Sequence, residues 1–477
     1  MLTDPIAALA TPPGRSAIAV IRLSGTGTLV IAERVVRQPI ESLPDRTATL
    51  LPFYSLAGTE IDRGLVTVFR APNSYTGHDL VEFSCHGGLL APAELLAALF
   101  SAGARLAAPG EFTRRAVLNG KLDLLQAEAV GDLIDATAPA QGRAALRQLD
   151  GQLSRRILAL REELLELLAV LAYDIDFPEE DDGPVPRERM LAALAGAEGS
   201  VARLLAGAPA GERLHDGALV VLAGRPNAGK SSLFNALLGS DRALVTEIPG
   251  TTRDTIEAAT DMEGWPVRLA DTAGLREAEE TIERLGIEVS RRYLAAADLV
   301  LLCVEADRPV VPEERELLGS HRGLLVRTKA DLVGNGERKG NGENRGNGEN
   351  KGNGENRGNG EDKGNGENRE SGEGVRVSVV TGEGLDQVRH AIAAELFGSG
   401  GQYADPEPLL SRERHRVALE RAASSLSAAR PELESGGDPV LSAHHVRDAV
   451  AALDEMIGLV HPDEVLGRVF ERFCVGK

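Results

Sequence analysis

The sequence predicts a multidomain protein of α/β and α+β class, in which an α/β domain interrupts an α-helical domain. Short apolar runs alternate with glycine and proline turns through residues 1–118, which favours an α+β fold. A glycine-rich loop follows a buried run at residues 218–223, as in parallel α/β sheets. Apolar residues recur every three or four positions before and after that region, which is the period of a helix. The chain has 477 residues, a length that allows roughly two to four domains.

The first domain, residues 1–118, contains segments of both structural types. Ala17–Ile21 and Leu65–Phe69 have the β-branched and apolar composition of strands. Glu94–Phe100 has the composition of a helix. These segments predict an α+β domain.

The helical pattern begins at residue 119. One apolar face is formed by Leu149, Leu153, Ile157, Leu160, Leu164, Leu167 and Leu171. A second is formed by Val450, Leu453, Ile457 and Val460. We therefore predict one helical domain built from residues 119–215 and 398–477, with residues 216–397 inserted between them. The alternative is two independent bundles.

A phosphate-binding loop opens the inserted domain. Residues 224–231 read G-R-P-N-A-G-K-S and fit G-x-x-x-x-G-K-[ST] without a mismatch. The loop lies between an apolar run at 218–223 and a helix-like run at 232–238, which is the context that the motif requires. Lys230 is placed for the β- and γ-phosphates and Ser231 for Mg²⁺. The phosphate-binding residues predicted here are Asn227, Ala228, Gly229, Lys230, Ser231 and Ser232.

Three downstream segments predict that the nucleotide is GTP. Asp271, Thr272, Ala273 and Gly274 follow a predicted strand at 267–270 and would meet Mg²⁺ and the γ-phosphate. Asp331 can accept two hydrogen bonds from guanine, each worth about 1.5–3 kcal/mol, and adenine offers no matching donors. The remaining guanine-binding residues predicted are Thr328, Lys329, Ala330, Ser378, Val379 and Val380, the last three at the end of a predicted strand from Val375 to Val379. Thr328 stands where Asn is usual, and we expect a looser base pocket.

GTP hydrolysis needs a side chain that orients the attacking water, and the residue after D-T-A-G usually supplies it. Leu275 occupies the position of a water-orienting Gln and cannot orient water. An arginine finger from a partner or a bound monovalent cation would compensate, and Asn227 offers an amide oxygen for a cation. A predicted switch loop also belongs to the GTP site, with Thr252 on Mg²⁺: Thr246, Glu247, Ile248, Pro249, Gly250, Thr251 and Thr252. The alternative is an ordinary switch loop that senses the γ-phosphate.

Motifs along the whole chain point to one family. They include G-T-T-R-D at 250–254, D-T-A-G-L-R at 271–276, N-G-K-L-D-L at 119–124 and F-C-V-G-K at 473–477. With these motifs the chain resembles the MnmE (TrmE) family of tRNA modification GTPases, within the TrmE-Era-EngA-like group. The resemblance implies a P-loop GTPase domain inserted in an α-helical domain and preceded by an α+β folate-binding domain.

The resemblance also implies residue roles. Asn227, Thr246, Ile248 and Thr251 would bind K⁺, and Glu283 would act on the water, with Lys230 and Arg276 as further catalytic residues. A 5-formyl-tetrahydrofolate-type ligand would be bound by Arg22, Glu82, Lys121 and Lys477. Cys474 is a possible functional thiol, or a small packed residue. The implied partners are tRNA and the flavoprotein MnmG (GidA) in a heterotetramer, with a homodimer formed through the N-terminal domain.

Composition limits how the chain meets RNA. The formal net charge is −20, whereas affinity for nucleic acid depends on cationic contacts, so an RNA contact should be local, transient or shared with a partner. The run Arg412–Arg416 is interpreted as a solvated helix face rather than a basic patch. Three distant cysteines fit a reducing compartment. No long apolar run or leader pattern is present, so we expect a cytoplasmic protein without a membrane span.

A repeat interrupts the inserted domain. Six hexads of the type G-N-G-E-x-[KR] run from 334 to 369 and offer no apolar side chain to bury. We therefore predict a disordered insert over 334–374, and a tolerated repeat expansion is favoured over a regulatory role.

The function predicted from these observations is a K⁺-stimulated GTP hydrolase in tRNA wobble-uridine modification. A ribosome-assembly GTPase without covalent RNA chemistry is the alternative. A folate-dependent one-carbon transferase with a vestigial nucleotide site is a third class, and the intact Lys230, Ser231, Asp271 and Asp331 argue against it.

Overall fold

A computed structural model describes the fold of most of the chain. The described residues are 3–176, 186–239, 257–271, 292–333, 374–398, 410–435, 438–460, 469–471 and 473–477. The chain divides into two compact units. The first unit comprises 1–136, 141–215 and 406–477, and the second comprises 137–140 and 216–405.

The N-terminal part of the first unit contains a six-stranded sheet with strand order β3-β4-β5-β2-β1-β6. The strands are β1 Ile6–Leu9, β2 Ile18–Ser24, β3 Thr49–Tyr54, β4 Glu60–Phe69, β5 Leu80–His86 and β6 Arg105–Leu106. Side chains along a strand alternate between its faces: in β4, Val66 and Val68 are buried and Leu65 beside them is exposed. The two predicted strand segments lie in β2 and β4 and are confirmed as strands.

Three helices accompany this sheet: α1 Thr28–Val36, α2 Leu90–Ser101 and α3 Glu111–Leu118. A short 3₁₀ turn spans Ile40–Ser42. Ile31, Val35 and Leu99 pack with the buried strand residues into one core, so α1 and α2 cover a face of the sheet. The mixture of a mostly antiparallel sheet and helices confirms the predicted α+β class for this region.

The helical part of the first unit has six helices among the described residues. They are α4 Leu124–Asp135, α5 Pro139–Leu149, α6 Gln152–Asp176, α7 Arg187–Asp216, α11 Glu413–Ser435 and α12 Pro439–Ile457. Asp123 begins α4 with a capping box, accepting a bond from the Gln126 N–H while the Gln126 side chain accepts one from the Asp123 N–H. Leu160 and Leu164 of α6 share one hydrophobic core with Leu426 and Leu453, so residues from both sequence pieces pack together.

Two members of the predicted apolar faces lie outside the expected helices. Leu149 is the last residue of α5, because Gly151 takes a left-handed φ of 76° and separates α5 from α6. Val460 lies beyond α12, which ends at Ile457 and is followed by Gly458 with φ 80°. Glycine ends helices in this way because it adopts positive φ without strain.

The interpretation of Arg412–Arg416 as a solvated face is wrong. His415 is fully buried and its Nε2 lies 2.8 Å from Oε2 of Glu128, itself almost fully buried. Arg414 donates to both Glu128 oxygens, at 2.6 and 2.5 Å. Arg412 pairs with Asp132. His415 is therefore buried in the helical core, and the partly exposed Arg412 and Arg414 are paired with acidic groups of α4, a partner set that sequence spacing cannot reveal.

The second unit contains a six-stranded sheet with strand order β12-β11-β10-β7-β9-β8. The strands are β7 Ala218–Ala223, β8 Glu257–Met262, β9 Trp265–Asp271, β10 Leu299–Glu305, β11 Gly323–Thr328 and β12 Val375–Arg376. The helices are α8 Lys230–Leu238, α9 Pro312–Ser320 and α10 Leu385–Phe397, and a 3₁₀ turn spans Ala330–Leu332. All pairs except β8–β9 are parallel, and β7 is buried along its whole length, as expected for a sheet covered on both faces.

Strand β12 is shorter than predicted. The sequence predicted a strand through Val379, but the regular strand is Val375–Arg376. Val377 still donates to the Arg327 carbonyl at 2.7 Å, and the chain then turns, with Gly382 N–H bonded to the Ser378 carbonyl. Ser378, Val379 and Val380 therefore lie in the turn that follows the strand.

Among the residues that the structure describes, one helix has the length and composition of a membrane span. In α7 an 18-residue window reaches a mean hydropathy of 1.2, and 28% of that window is buried in the protein. Its residues Leu194, Val201 and Leu204 belong to the helical core. A buried core helix of this composition satisfies the same criteria, so α7 is weak evidence for a span.

Candidate functional site

The glycine-rich loop leaves β7 and enters α8 through two residues that must be glycine. Gly224 has φ 141°, and a Cβ there would lie 2.3 Å from the Cys303 carbonyl oxygen of the neighbouring strand. Gly229 precedes the first turn of α8 with φ 82°. These conformations turn the loop so that it precedes the N-terminus of α8, where unpaired N–H groups and the helix dipole attract an anion.

The lysine of this loop is buried and already in position. Lys230 Nζ donates to the carbonyl oxygens of Gly224 and Arg225, at 3.1 and 2.9 Å. The ammonium is therefore held at the mouth of the loop formed by residues 224–229. Asn227, whose φ is 63°, is exposed on the same loop.

Two oxygen ligands for a divalent cation meet beside the loop. Ser231 Oγ donates to Asp271 Oδ2 at 2.6 Å. Asp271 is 5% exposed and ends β9, which pairs with β7 in parallel register. A hydroxyl and a carboxylate at hydrogen-bond distance are hard oxygen ligands of the type that Mg²⁺ prefers, so this pair fits Mg²⁺.

The base motif is bonded directly to the phosphate loop. Thr328 Oγ1 donates to the Ala228 carbonyl at 2.7 Å, and Thr328 is 2% exposed. We expected a looser base pocket because the amide of the usual Asn is missing. The Thr328 hydroxyl nevertheless supplies a hydrogen bond between the base motif and the phosphate loop. Asp331 is held by Ser378, whose Oγ donates to Asp331 Oδ1 at 2.7 Å. Val380 is 86% exposed in the turn beyond Ser378.

One residue near the base motif was not found from the sequence. Glu305 ends β10, and its carboxylate accepts hydrogen bonds or ion pairs from Lys329 and Arg308. A carboxylate at the end of a strand beside the base motif was the available signal. Its pairing depends on the parallel register of β10 with β11, which places Glu305 opposite Thr328.

Several predicted residues lie outside the described part of the chain. This holds for the whole predicted switch loop from Thr246 to Thr252, for Thr272, Ala273 and Gly274, and for the catalytic candidates Arg276 and Glu283. The repeat at 334–369 lies outside it as well. Within the described residues, no group of three or more His, Cys, Asp and Glu side chains is placed to hold a metal.

A second polar cluster lies on the N-terminal sheet. Arg22 of β2 and Glu82 of β5 are cross-strand partners, and Arg22 Nε donates to Glu82 Oε1 at 2.8 Å. The Arg22 guanidinium also donates to the Gly476 carbonyl at 3.4 Å and lies 5.9 Å from the Tyr75 ring centroid. Tyr75 was not among the predicted residues.

The C-terminal tail is bonded to the N-terminal region. Phe112 N–H donates to the Lys477 carbonyl at 3.1 Å, and Gly110 N–H donates to the Cys474 carbonyl at 3.4 Å. Gly476 has φ 102°, and a Cβ there would lie 2.5 Å from the Leu9 carbonyl oxygen. The tail therefore lies against the start of the chain at a place that admits only glycine.

The structure brings three of the four predicted folate residues together. Burial, and then the charge of Arg22, lower the pKa of Lys477, and Glu82 acts in the opposite direction. Lys121 is engaged elsewhere: its Nζ donates to the Pro72 carbonyl at 3.0 Å. Cys474 is exposed. The tail cluster, defined as Arg22, Tyr75, Glu82 and Lys477, has two cations, one carboxylate paired with Arg22, and one aromatic ring.

The phosphate loop before α8, the oxygen pair beside it and the guanine motif on the next strands define a P-loop GTPase. Residues 124–474 match the family model described as MnmE helical domain, and residues 5–121 match the GTP-binding protein TrmE N-terminus. The chain belongs to the MnmE family of tRNA modification GTPases.

Relatives along the full length agree with this assignment. The tRNA modification GTPase MnmE of Moorella thermoacetica is 41% identical over 487 residues, covering 100% of both chains. Those of Symbiobacterium thermophilum and Aquifex aeolicus are 42% and 37% identical, covering 99% and 100% of this chain and the same shares of their own. The solved G domain of the T. maritima FeoB iron transporter is 27% identical, covers 37% of this chain and 98% of its own, and has a TM-score of 0.25, too low to carry weight.

Proposed function

We propose that this GTPase takes part in modifying the wobble uridine (U34) of certain tRNAs, giving 5-carboxymethylaminomethyl- or aminomethyl-type products. The main support is that full-length relatives bear the name tRNA modification GTPase while the phosphate-loop lysine and the Ser231–Asp271 pair are present in this chain.

The residues of the chain divide the work of GTP binding. Lys230 neutralises the β- and γ-phosphates, and the N–H groups of Asn227, Ala228, Gly229, Ser231 and Ser232 bind phosphate oxygens. Ser231 and Thr252 would hold Mg²⁺, which offsets charge on the phosphates, and Asp271 orients the Ser231 hydroxyl. Asp331 selects guanine by its carboxylate, which Ser378 orients.

The hydrolytic step uses residues outside the described ranges. Glu283 orients the attacking water, and Arg276 assists hydrolysis. A contact to the γ-phosphate from Thr272, Ala273 and Gly274 also assists hydrolysis. Asn227 with the carbonyls of Thr246, Ile248 and Thr251 would hold K⁺, whose charge replaces an arginine finger. The exposed Asn227 on the phosphate loop supports this assignment.

The tail cluster is the proposed site of a 5-formyl-tetrahydrofolate-type one-carbon donor. Arg22 and Lys477 would pair with its carboxylates, Glu82 would accept from its pterin N–H groups, and Tyr75 offers a ring for stacking. Lys121, the fourth residue proposed for this ligand, donates to the Pro72 carbonyl. Cys474, exposed on the same tail, is the proposed functional thiol.

The partners and location follow from this chemistry. We propose tRNA as the substrate and the flavoprotein MnmG as the redox partner in a heterotetramer, with a homodimer formed by the N-terminal domain, in the cytoplasm. The net charge of −20 implies that cationic surface for tRNA is local or belongs to MnmG.

Two measurements test the proposal. In a strain lacking the gene, mass spectrometry should show loss of wobble-uridine modification and its return with the wild-type chain; unchanged nucleosides would favour a ribosome-assembly switch. Purified protein should hydrolyse GTP faster in K⁺ than in Na⁺, and Asn227→Ala should remove that difference more than it weakens GDP binding. Equal rates in both salts for the wild type would end the cation proposal.

A further inference from the structure

The guanine motif has an acidic neighbour that no role yet accounts for. Glu305 is the last residue of β10, and its side chain is 13% exposed. One carboxylate oxygen contacts Lys329 Nζ and the other contacts Arg308 Nε. A carboxylate this enclosed, at the carboxyl end of a central parallel strand, lies on the edge where ligands of α/β sheets bind.

The backbone fixes Glu305 against the motif as firmly as its side chain does. Glu305 lies opposite Thr328 in the parallel register, and Ala306 N–H donates to the Thr328 carbonyl at 2.8 Å. Arg308 is bonded back as well, since its N–H donates to the Glu305 carbonyl at 3.0 Å and its own carbonyl accepts from Arg327 at 2.6 Å. The carboxylate therefore has little freedom to move away from Lys329.

Lys329 needs such a fixed partner. Its backbone is left-handed, with φ 56° and ψ 38°, a conformation that few non-glycine residues adopt. It is two residues before Asp331, and a long ammonium side chain near a carboxylate pairs with it unless another anion competes. An ammonium on Asp331 would occupy the oxygens that guanine N1–H and N2–H must reach.

We infer that Glu305 is a positioning residue for guanine binding: it holds the Lys329 ammonium away from Asp331 and sets the Lys329 stem beside the base. This inference rests on the proposed role of Asp331 and Lys329 in guanine recognition. Asp331 then keeps the hydrogen bond that Ser378 donates to one of its oxygens. The apolar stem of Lys329 provides a surface for the purine ring.

The charge of Glu305 is secure at physiological pH. The hydrogen bond from Lys329, and next the charges of Arg308 and Lys329, lower the pKa of Glu305 against the opposing effect of burial. The carboxylate is thus ionised whenever the protein meets nucleotide, so the arrangement is permanent rather than a pH switch.

The test measures mant-GDP dissociation and steady-state GTP hydrolysis in the full-length protein. Glu305→Ala should raise the GDP dissociation rate and the KM for GTP about five- to tenfold, with kcat within twofold. Glu305→Gln, which keeps the shape and one hydrogen-bond acceptor, should have a smaller effect. Glu316→Gln removes an exposed carboxylate of the same unit and should change neither quantity.

A double-mutant cycle separates positioning from simple support of the fold. Lys329→Met keeps the stem and removes the ammonium, so in that background Glu305→Ala should change GDP dissociation less than twofold. An undiminished penalty in the Lys329→Met background, or none in the wild type, would overturn the inference. Wild-type preference for GDP over ADP is measured first, because its absence would refute the guanine site itself and not Glu305.

Discussion

Replacing Glu128 by Gln tests whether the acidic residue of α4 holds the two pieces of the helical domain together. Glu128 is 1% exposed and accepts from Arg414 and His415, which are distant in sequence. Removing one partner of a buried ion pair costs about 3–5 kcal/mol, because the other charge remains without compensation. The Arg414 side chain is 26% exposed and can recover some hydration, so we expect about 3 kcal/mol.

For a unit of this size, about 3 kcal/mol corresponds to a fall in Tm of roughly 5 °C. Circular dichroism at 222 nm follows the helices, while the fluorescence of the lone Trp265 reports the second unit. We expect the helical transition to move and the unfolding transition reported by Trp265 to stay. Glu163→Gln removes an exposed carboxylate from α6 and serves as the control. A Tm for the Glu128 variant within about 1 °C of that control would refute the reasoning.

Three further predictions concern pH, the base motif and the repeat. Burial lowers the pKa of His415 to about 4, so the unfolded chain takes up a proton on this residue near pH 6.5 and the folded chain does not. The free energy of unfolding should therefore fall by about 3 kcal/mol between pH 6.5 and 4. Urea midpoints should depend less on pH in His415→Gln than in the wild type, and the exposed His444→Gln should keep the wild-type pH dependence. Thr328→Val removes the hydroxyl that donates to a buried carbonyl and should raise the Kd for GDP about tenfold. Thr328→Ser keeps that hydroxyl, so its Kd should stay within threefold of the wild type. Equal losses of GDP affinity for the two variants in titration calorimetry would show that the hydroxyl is irrelevant. Deleting residues 334–369 should leave GTP turnover within a few fold, since loop-closure entropy changes by only about 0.6 kcal/mol per doubling of length; a larger loss would give the repeat a role.

The features that sequence predicted are those set by local rules. The apolar period of α6 predicts its buried face from Leu153 to Leu171, and the glycine pattern at 224–231 predicts a loop between β7 and α8. The ends of elements were harder to place: Leu149 and Val460 fit the period but lie beyond glycine breaks. The apolar period carries no information on the backbone conformation of a single residue, so it does not predict that a glycine ends the helix.

Pairings between distant charges could not be predicted. Glu128 and Arg414 are both charged residues on helical segments, and the sequence alone favours leaving each in water. Their burial depends on how α4 and α11 meet, which is a property of the packed core. The same applies to Glu305 and Lys329, whose contact requires the parallel register of two strands. Two charged residues that pair without a fixed spacing along the chain leave no local pattern from which their contact could be predicted.

The contacts of residues 474–477 with the N-terminal region also have a consequence for how a new chain matures. Lys477 is synthesised about 365 residues after Phe112, to which its main-chain oxygen is bonded. At about 5–20 residues per second, this delay is roughly 20–70 s of synthesis. During that interval the first sheet lacks its contacts with the tail, and the proposed folate site lacks Lys477. The proposed site on the N-terminal sheet is therefore incomplete until the tail has been synthesised.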